Sequence, residues 1–146
     1  EDMIARSLRV KIDVVEHDPY ERGRRAVLNL GHTTGHALER LSGFGMRHGD
    51  AVSIGRVVAA RIAVELGQAD PSLVGRIEAV LRSWQLPVRC PSLEANAILE
   101  AMMHDKKRRG RSIRWVLPRA IGEVDITEDV SPAIVRSVLC EIGARW

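Results

Sequence analysis

The chain has 146 residues, a length that suits one domain with a single buried core. Hydrophobic residues make up 45% of it and charged residues 28%, which excludes a disordered chain, and no apolar run approaches the roughly 20 residues of a membrane-spanning helix. The net charge of +3 is mild, and Cys90 and Cys140 show neither metal-binding nor disulfide spacing. We therefore expect free thiols and a cytoplasmic protein.

Aromatic residues are scarce at 3%, which favours packed helices with an aliphatic core over a β-sandwich. Apolar residues recur at helical intervals over residues 2–15, so an amphipathic helix is predicted there. The stretch HDPYERG, with its proline and glycine, ends that helix. A second helix is predicted over residues 25–41, before the turn SGFG, and a third over residues 50–66.

The sequence of the second half of the chain predicts three more helices and one hairpin. Asp70 is the expected N-cap of the fourth helix, with Pro71 at its first position. The run SIRWVLPRAIGEVDI is rich in β-branched and apolar residues around a proline and a glycine, which indicates a short β-hairpin. The sequence thus predicts a mainly α domain over residues 1–146, with about six helices, the last three at 70–84, 92–105 and 131–143.

Three of the five histidines lie between Arg25 and Gly55, in RAVLNLGHTTGHALERLSGFGMRHGDAVSIG. Two of them are four residues apart on the predicted helix, so their rings can converge on one metal ion. The third histidine begins the next predicted helix and can fold back to join them. The alternative is a solvated polar face that happens to contain histidine. The polar stripe of the predicted helix comprises Arg25, Asn29, His32 and His36, and the third histidine is His48.

Two glycines lie inside this predicted helix. Gly31 and Gly35 would each weaken it by about 1 kcal/mol relative to alanine. We therefore expect another backbone or a ligand to approach the helix closely at these positions.

At these residues the sequence resembles the 3-dehydroquinate synthase family of sugar-phosphate cyclases. The segments LNLGHTTGHALE, HGDAVSIG, MHDKKRRG and VLPRAIG are similar to that family's segments in order and spacing. The resemblance covers essentially the whole chain, but only the helical C-terminal domain of the family. It implies that the family's N-terminal NAD-binding domain, and a glutamate that is the third protein ligand of its zinc ion, lie before residue 1.

The resemblance also implies roles for individual residues. His32 and His48 would bind Zn²⁺, or another divalent cation such as Co²⁺, and His36 would act in proton transfer or substrate binding. Glu21 falls on the family's acid/base glutamate. The residues implied to bind substrate are Lys11, Arg25, Asn29 and one of Lys106 and Lys107.

The implied reaction converts 3-deoxy-D-arabino-heptulosonate 7-phosphate to 3-dehydroquinate and phosphate, a carbon–oxygen lyase step of the shikimate pathway of aromatic amino-acid biosynthesis. NAD would be held mainly by the missing domain, so this chain alone would be an inactive half-site; family members are commonly homodimers. Two departures from the family pattern remove no ligand: Asp50 stands where a glutamate is usual, and Arg56 where a methionine is common.

Other functions stay open at this point. Other sugar-phosphate cyclases, such as 2-deoxy-scyllo-inosose synthase and the aminodehydroquinate synthases, share the histidine pattern, although DPYERGRRAVLNLGH and DKK favour dehydroquinate synthase. The run KKRRGRSIR would suit a small nucleic-acid-binding domain, but no aromatic residues interleave with it to stack bases. A non-catalytic dimerisation domain is a third possibility. We expect neither a nucleic acid nor a membrane as a partner.

Overall fold

The computed structural model describes residues 1–20, 23–107 and 113–146, without the side chains of Arg24 and residues 105–107. Glu21 therefore lies outside the described residues, as do the side chains of Lys106 and Lys107. In chain order, the elements are α1 (Asp2–His17), a 3-10 helix (Arg24–Asn29), α2 (His32–Leu41), α3 (His48–Glu65), α4 (Ser72–Ser83), α5 (Ala95–Lys107), β1 (Trp115–Ala120), β2 (Glu123–Thr127) and α6 (Pro132–Glu141).

Six α-helices and one antiparallel hairpin in the described ranges confirm the predicted mainly α fold. In the hairpin, Trp115 pairs with Thr127 and Val116 with Ile126. The turn between the strands needs a left-handed residue, which Gly122 supplies with φ of 84°. Trp115, Val116 and Leu117 are all buried, so the first half of β1 is covered on both faces.

The central helix is α3, which packs against α2, α4, α6 and β1. It is buried on nearly all sides, because small and aliphatic residues surround its axis. Its buried hydroxyl, Ser53 Oγ, donates a hydrogen bond of 2.7 Å to the Pro87 carbonyl. None of the helices in the described ranges is long and apolar enough to cross a membrane. The core residues of α3 are Ala51, Val52, Ile54, Val57, Val58, Ala59, Ala60, Ile62 and Ala63.

The prediction of one helix over residues 25–41 is wrong. The 3-10 helix ends at Asn29, Leu30 is extended (ψ 119°), and α2 begins only at His32. The break occurs because Gly31 is left-handed, with φ of 85°, and so cannot continue a right-handed helix. Arg25 and Asn29 therefore do not share a helical stripe with His32 and His36.

Three glycines allow α2 and α3 to cross at close range. A Cβ on Gly31 would lie 2.8 Å from both Arg56 N and Val52 O, and one on Gly35 would lie 3.2 Å from Val52 N. A Cβ on Gly55 would overlap the Gly31 carbonyl. The sequence predicts a close approach at Gly31 and Gly35, and the structure confirms it. The group that approaches is mainly the backbone of α3.

The first helix is attached to the rest of the chain through few side chains. The predicted amphipathic helix is present, but its only buried residue is Val14, where it meets the 3-10 helix. The apolar stripe that predicts this helix is exposed: Ile4 by 62%, Leu8 by 52% and Ile12 by 52%. In the described part of the chain, no element covers this stripe.

The helix starts follow the sequence with small shifts. α4 begins at Ser72, one residue after the predicted first position, and the Asp70 carboxylate accepts the Ser72 amide at 2.8 Å. At α6, Ser131 is the N-cap and its hydroxyl accepts the Ile134 amide at 3.3 Å.

Both cysteines are free thiols, as predicted. Burial raises the pKa of the Cys90 thiol to about 11, and the nearby Cys140 adds to the shift. Since folding holds this pKa above its ordinary value of 9.0, the resulting stability is present below about pH 9 and is lost as the pH rises towards 11.

We predict that Cys90 reacts slowly with iodoacetamide, because the reactive thiolate is scarce below its pKa. In a Cys140→Ser variant, the alkylation rate should rise about tenfold per pH unit up to about pH 10 without levelling. Mass spectrometry of the labelled peptide measures this rate. A plateau near the ordinary thiol pKa would contradict the buried environment.

We also predict that the helix crossing limits stability at Gly55. Replacement by alanine should lower the free energy of unfolding by about 1–3 kcal/mol, because the new methyl group has no space. The matched control is Gly75→Ala in α4, where a Cβ meets no atom within 4 Å; it should raise stability by up to about 1 kcal/mol. Urea unfolding of both variants, followed by circular dichroism, tests the contrast, and equal effects would contradict it.

Candidate metal centre

Three imidazole rings meet at the junction of α2 and α3. The ring centroids of His32 and His48 are 5.2 Å apart, those of His32 and His36 are 5.4 Å apart, and those of His36 and His48 are 6.0 Å apart. The structure therefore brings all three predicted histidines into one cluster. Such spacing allows ring nitrogens from two helices to face a common point.

The fold sets this convergence through the first residues of two helices. His32 is the first residue of α2 and His48 the first residue of α3, while His36 lies one turn further along α2. The tight crossing at the glycines holds Gly31, the residue before His32, against Val52 and Arg56 of α3. His36 and His48 are exposed and His32 is half-buried, so the cluster opens to the surface.

His32 has the environment of a neutral metal ligand. Burial lowers its pKa, and the neighbouring His36 and His48 lower it further, against an opposing contribution from the Leu30 carbonyl. Its Nδ1 atom is buried and meets no described group at good hydrogen-bond geometry. A neutral imidazole has a lone pair to donate to a divalent cation, so the residues present fit a zinc or cobalt ion.

A carboxylate completes a second grouping around His48. Glu39 Oε1 lies 3.1 Å from His48 Nδ1, and donor atoms of His36, Glu39 and His48 lie within 4.8 Å of one another. These three residues form a possible metal site in the described part of the chain. Glu39 is absent from the sequence-based candidates. Its spacing of three residues after His36 and seven after His32, which puts all three on one helical face, was the available signal.

A cationic side chain borders the cluster. Gly31, the residue before His32, packs against the backbone and the Cγ atom of Arg56. Much of the Arg56 side chain is exposed, yet burial around its charged end lowers the pKa of the guanidinium. Among the described residues, no carboxylate pairs with Arg56. Its uncompensated charge would favour an anionic ligand at the cluster.

Three of the predicted substrate-binding residues are described, and they lie on α1 and on the 3-10 helix. Arg25 is half-buried on the 3-10 helix, where its Nη1 donates a hydrogen bond of 3.0 Å to the Pro19 carbonyl. Asn29 is exposed on the same helix, four residues further. Lys11 is exposed on α1, and in the described ranges its ammonium has no ion-pair partner.

One carboxylate links the end of α1 to the start of the 3-10 helix. Asp18 is buried, and its Oδ2 accepts the backbone amides of Gly23 at 2.8 Å and Arg25 at 2.9 Å. Two backbone donors satisfy this buried charge and fix where the 3-10 helix starts.

Comparison with known proteins supplies the deciding observation. The family described as 3-dehydroquinate synthase C-terminal matches residues 1–108 of this chain. The chain belongs to the 3-dehydroquinate synthase family. A curated 3-dehydroquinate synthase from Synechocystis is 42% identical to it over 139 residues, which cover 94% of this chain and 38% of that protein. The chain thus spans about two fifths of the length of the curated relatives it matches.

Solved structures share the fold of this 3-dehydroquinate synthase domain. A 2-epi-5-epi-valiolone synthase from Streptomyces hygroscopicus, with NAD⁺ and Zn²⁺ bound, superimposes with a TM-score of 0.83 at 23% identity, over 94% of this chain and 38% of that one. A 2-deoxy-scyllo-inosose synthase, complexed with carbaglucose-6-phosphate, NAD⁺ and Co²⁺, gives 0.75 at 23% identity, over 90% and 38%. At this identity the likeness establishes the fold.

We predict that the isolated chain binds Zn²⁺ weakly through this cluster, because two imidazoles without a further protein ligand leave the ion mostly hydrated. His32→Ala and His48→Ala should each weaken binding by at least about tenfold. Calorimetry or NMR titration of the metal-free protein measures the affinity. The control is His17→Ala, which removes an exposed imidazole whose Nδ1 lies 2.7 Å from the Asp13 carbonyl oxygen on α1; equal affinity in all variants would contradict the site.

Proposed function

We propose that this chain is the metal- and substrate-binding part of a 3-dehydroquinate synthase. The proposed reaction converts 3-deoxy-D-arabino-heptulosonate 7-phosphate to 3-dehydroquinate and phosphate, with NAD bound mainly by another domain. The observation that carries the proposal is the cluster of three imidazoles at the α2–α3 junction, with ring centroids 5.2–6.0 Å apart. Membership of the family and 42% identity to a curated synthase support the substrate assignment.

In this proposal His32 and His48 hold the divalent cation. Lowering of the pKa of His32 by burial supports this role, because only the neutral ring can donate its lone pair. A bound zinc ion would polarise a substrate hydroxyl and lower its pKa, which prepares the carbon for hydride removal by NAD. The third protein ligand is the carboxylate that the family resemblance assigns to the segment before residue 1.

The remaining roles concern protons and charge. His36 is exposed beside the other two rings, and imidazole is a side chain that exchanges protons near neutral pH. We propose it for proton transfer or substrate binding, with Glu21 as the acid/base carboxylate. Arg25 can grip an anionic oxygen pair through its planar fork. Lys11, Asn29 and one of Lys106 and Lys107 complete the proposed contacts to the substrate's carboxylate, hydroxyls and phosphate.

The test joins this chain to the part that it is proposed to require. In a chimera, the chain replaces the matching C-terminal portion of the Synechocystis relative, and phosphate release is assayed with NAD and Zn²⁺. We expect turnover by the chimera, none by the chain alone, and a loss of at least about a hundredfold in kcat with His32→Ala. His17→Ala in the same chimera should leave the rate unchanged.

A folded, zinc-loaded chimera without turnover would contradict the proposal. The same assay run with the substrates of other sugar-phosphate cyclases separates this activity from theirs. Preference for one of those substrates would assign the chain to the corresponding sugar-phosphate cyclase activity instead. The proposed homodimer is tested separately, by the mass of the chimera in solution.

A further inference from the structure

Glu39 is a half-buried carboxylate that the proposed reaction does not use. Its side chain is 16% exposed, whereas that of its partner His48 is 56% exposed. The carboxylate lies on α2, one turn after His36, and reaches across to the first residue of α3. The distance between Glu39 Oε1 and His48 Nδ1 is 3.1 Å, which is a hydrogen bond.

The chemistry of this pair fixes the position of a proton. An ionised carboxylate can only accept hydrogen bonds, so the bond requires a proton on His48 Nδ1. In the neutral ring the lone pair is then on Nε2, which is the only nitrogen left to bind a metal ion. The contact thus selects one tautomer and one orientation of the ring.

We propose that Glu39 is a positioning residue, which orients His48 through Nδ1 and directs Nε2 towards the centre of the imidazole cluster. Metal-bound histidines commonly donate their other ring N–H to a carboxylate in this way, which fixes the ring and raises its basicity. Glu39 therefore acts through His48 and is not itself a metal ligand. This inference rests on the proposed metal role of His48.

The arrangement of the neighbours supports this role over direct ligation. Glu39 already uses one oxygen on His48, and the His48 ring faces both His32, at 5.2 Å between centroids, and His36, at 6.0 Å. A ring with Nδ1 bound to Glu39 presents its opposite edge to other groups. The His48 side chain is the more exposed of the pair, and its hydrogen bond to the less exposed Glu39 restricts its rotation.

The first test uses the metal-free chain, so its result does not depend on turnover. Long-range ¹H–¹⁵N NMR correlations of the imidazoles report which nitrogen of His48 carries the proton. We expect the Nδ1-protonated tautomer in the wild-type protein and in Glu39→Gln, whose amide oxygen still accepts the bond. In Glu39→Ala we expect the preference to be lost. A proton on Nε2 in the wild-type protein would overturn the proposal.

The second test separates orientation from ligation. Zn²⁺ affinity, followed through the NMR shifts of the same ring, should fall by about 10–100-fold in Glu39→Ala and recover most of that loss in Glu39→Gln. If Glu39 were a ligand, the neutral amide would restore little affinity. An unchanged affinity in Glu39→Ala, or equal losses in both variants, would each refute the positioning role.

The matched control is Asp50→Asn in the first turn of α3. Asp50 is two residues from His48, and its side chain is 19% exposed, but it pairs with Arg47 at 2.8 Å. Removing this charge should leave the His48 tautomer unchanged and alter Zn²⁺ affinity by less than about threefold. An effect as large as that of Glu39→Ala would indicate nonspecific electrostatics and overturn the proposal. The synthase assignment can fail in the chimera assay while the tautomer result stands, so the two hypotheses are tested independently.

Discussion

The close crossing of α2 and α3 is the constraint on which the site depends. Because Gly31, Gly35 and Gly55 have no side chains, the start of α2 packs directly on the backbone of α3. In this arrangement the ring centroids of His32, the first residue of α2, and His48, the first residue of α3, are 5.2 Å apart. A pair of ordinary helices, separated by 8–10 Å between axes, would hold the same side chains further apart.

The same crossing explains why the cluster has both a buried and an open side. His32 borders the packed interface, which lowers its pKa, whereas His36 and His48 face outward. A metal site needs neutral ligands at its base and access for a substrate at its mouth. The guanidinium of Arg56 adds positive charge on the α3 side, and this chain has it where methionine is common in the family. This charge would favour an anionic ligand at the cluster.

Much of the fold could be predicted from apolar periodicity, because five of the six helices and the hairpin have regular apolar patterns. The helix over residues 25–41 could not, since periodicity contains no information about the left-handed backbone of Gly31. Gly31 is the available signal, because glycine adopts a left-handed backbone more readily than other residues, and such a residue ends a right-handed helix. In α1 the apolar pattern of Ile4, Leu8 and Ile12 predicts the helix correctly. The pattern does not show which group, if any, packs on this apolar face.

The residues of the candidate site were also only partly predictable from the sequence. Spacing and family resemblance were sufficient to select the three histidines, because histidine is a common metal ligand and the chain has only five. Glu39 was not selected, since a glutamate on a helix is usually a surface residue and its partner lies on another element. Only the tertiary contact with His48 distinguishes it. The roles of Arg25, Asn29 and Lys11 stay predictions, because these roles are contacts with a substrate, and residue spacing does not identify the substrate.

The turn between α2 and α3 has an evolutionary consequence. It spans residues 42–47, with Gly43 and Phe44 both left-handed, and Phe44 N donates to the Glu39 carbonyl at 2.8 Å. Exposed loops usually tolerate insertions and deletions, but a residue gained or lost here would strain the turn or rotate α3 by about 100° about its axis. Either change would move His48 away from Glu39. Length variation among descendants of this gene should therefore accumulate elsewhere on the surface and spare this short connection.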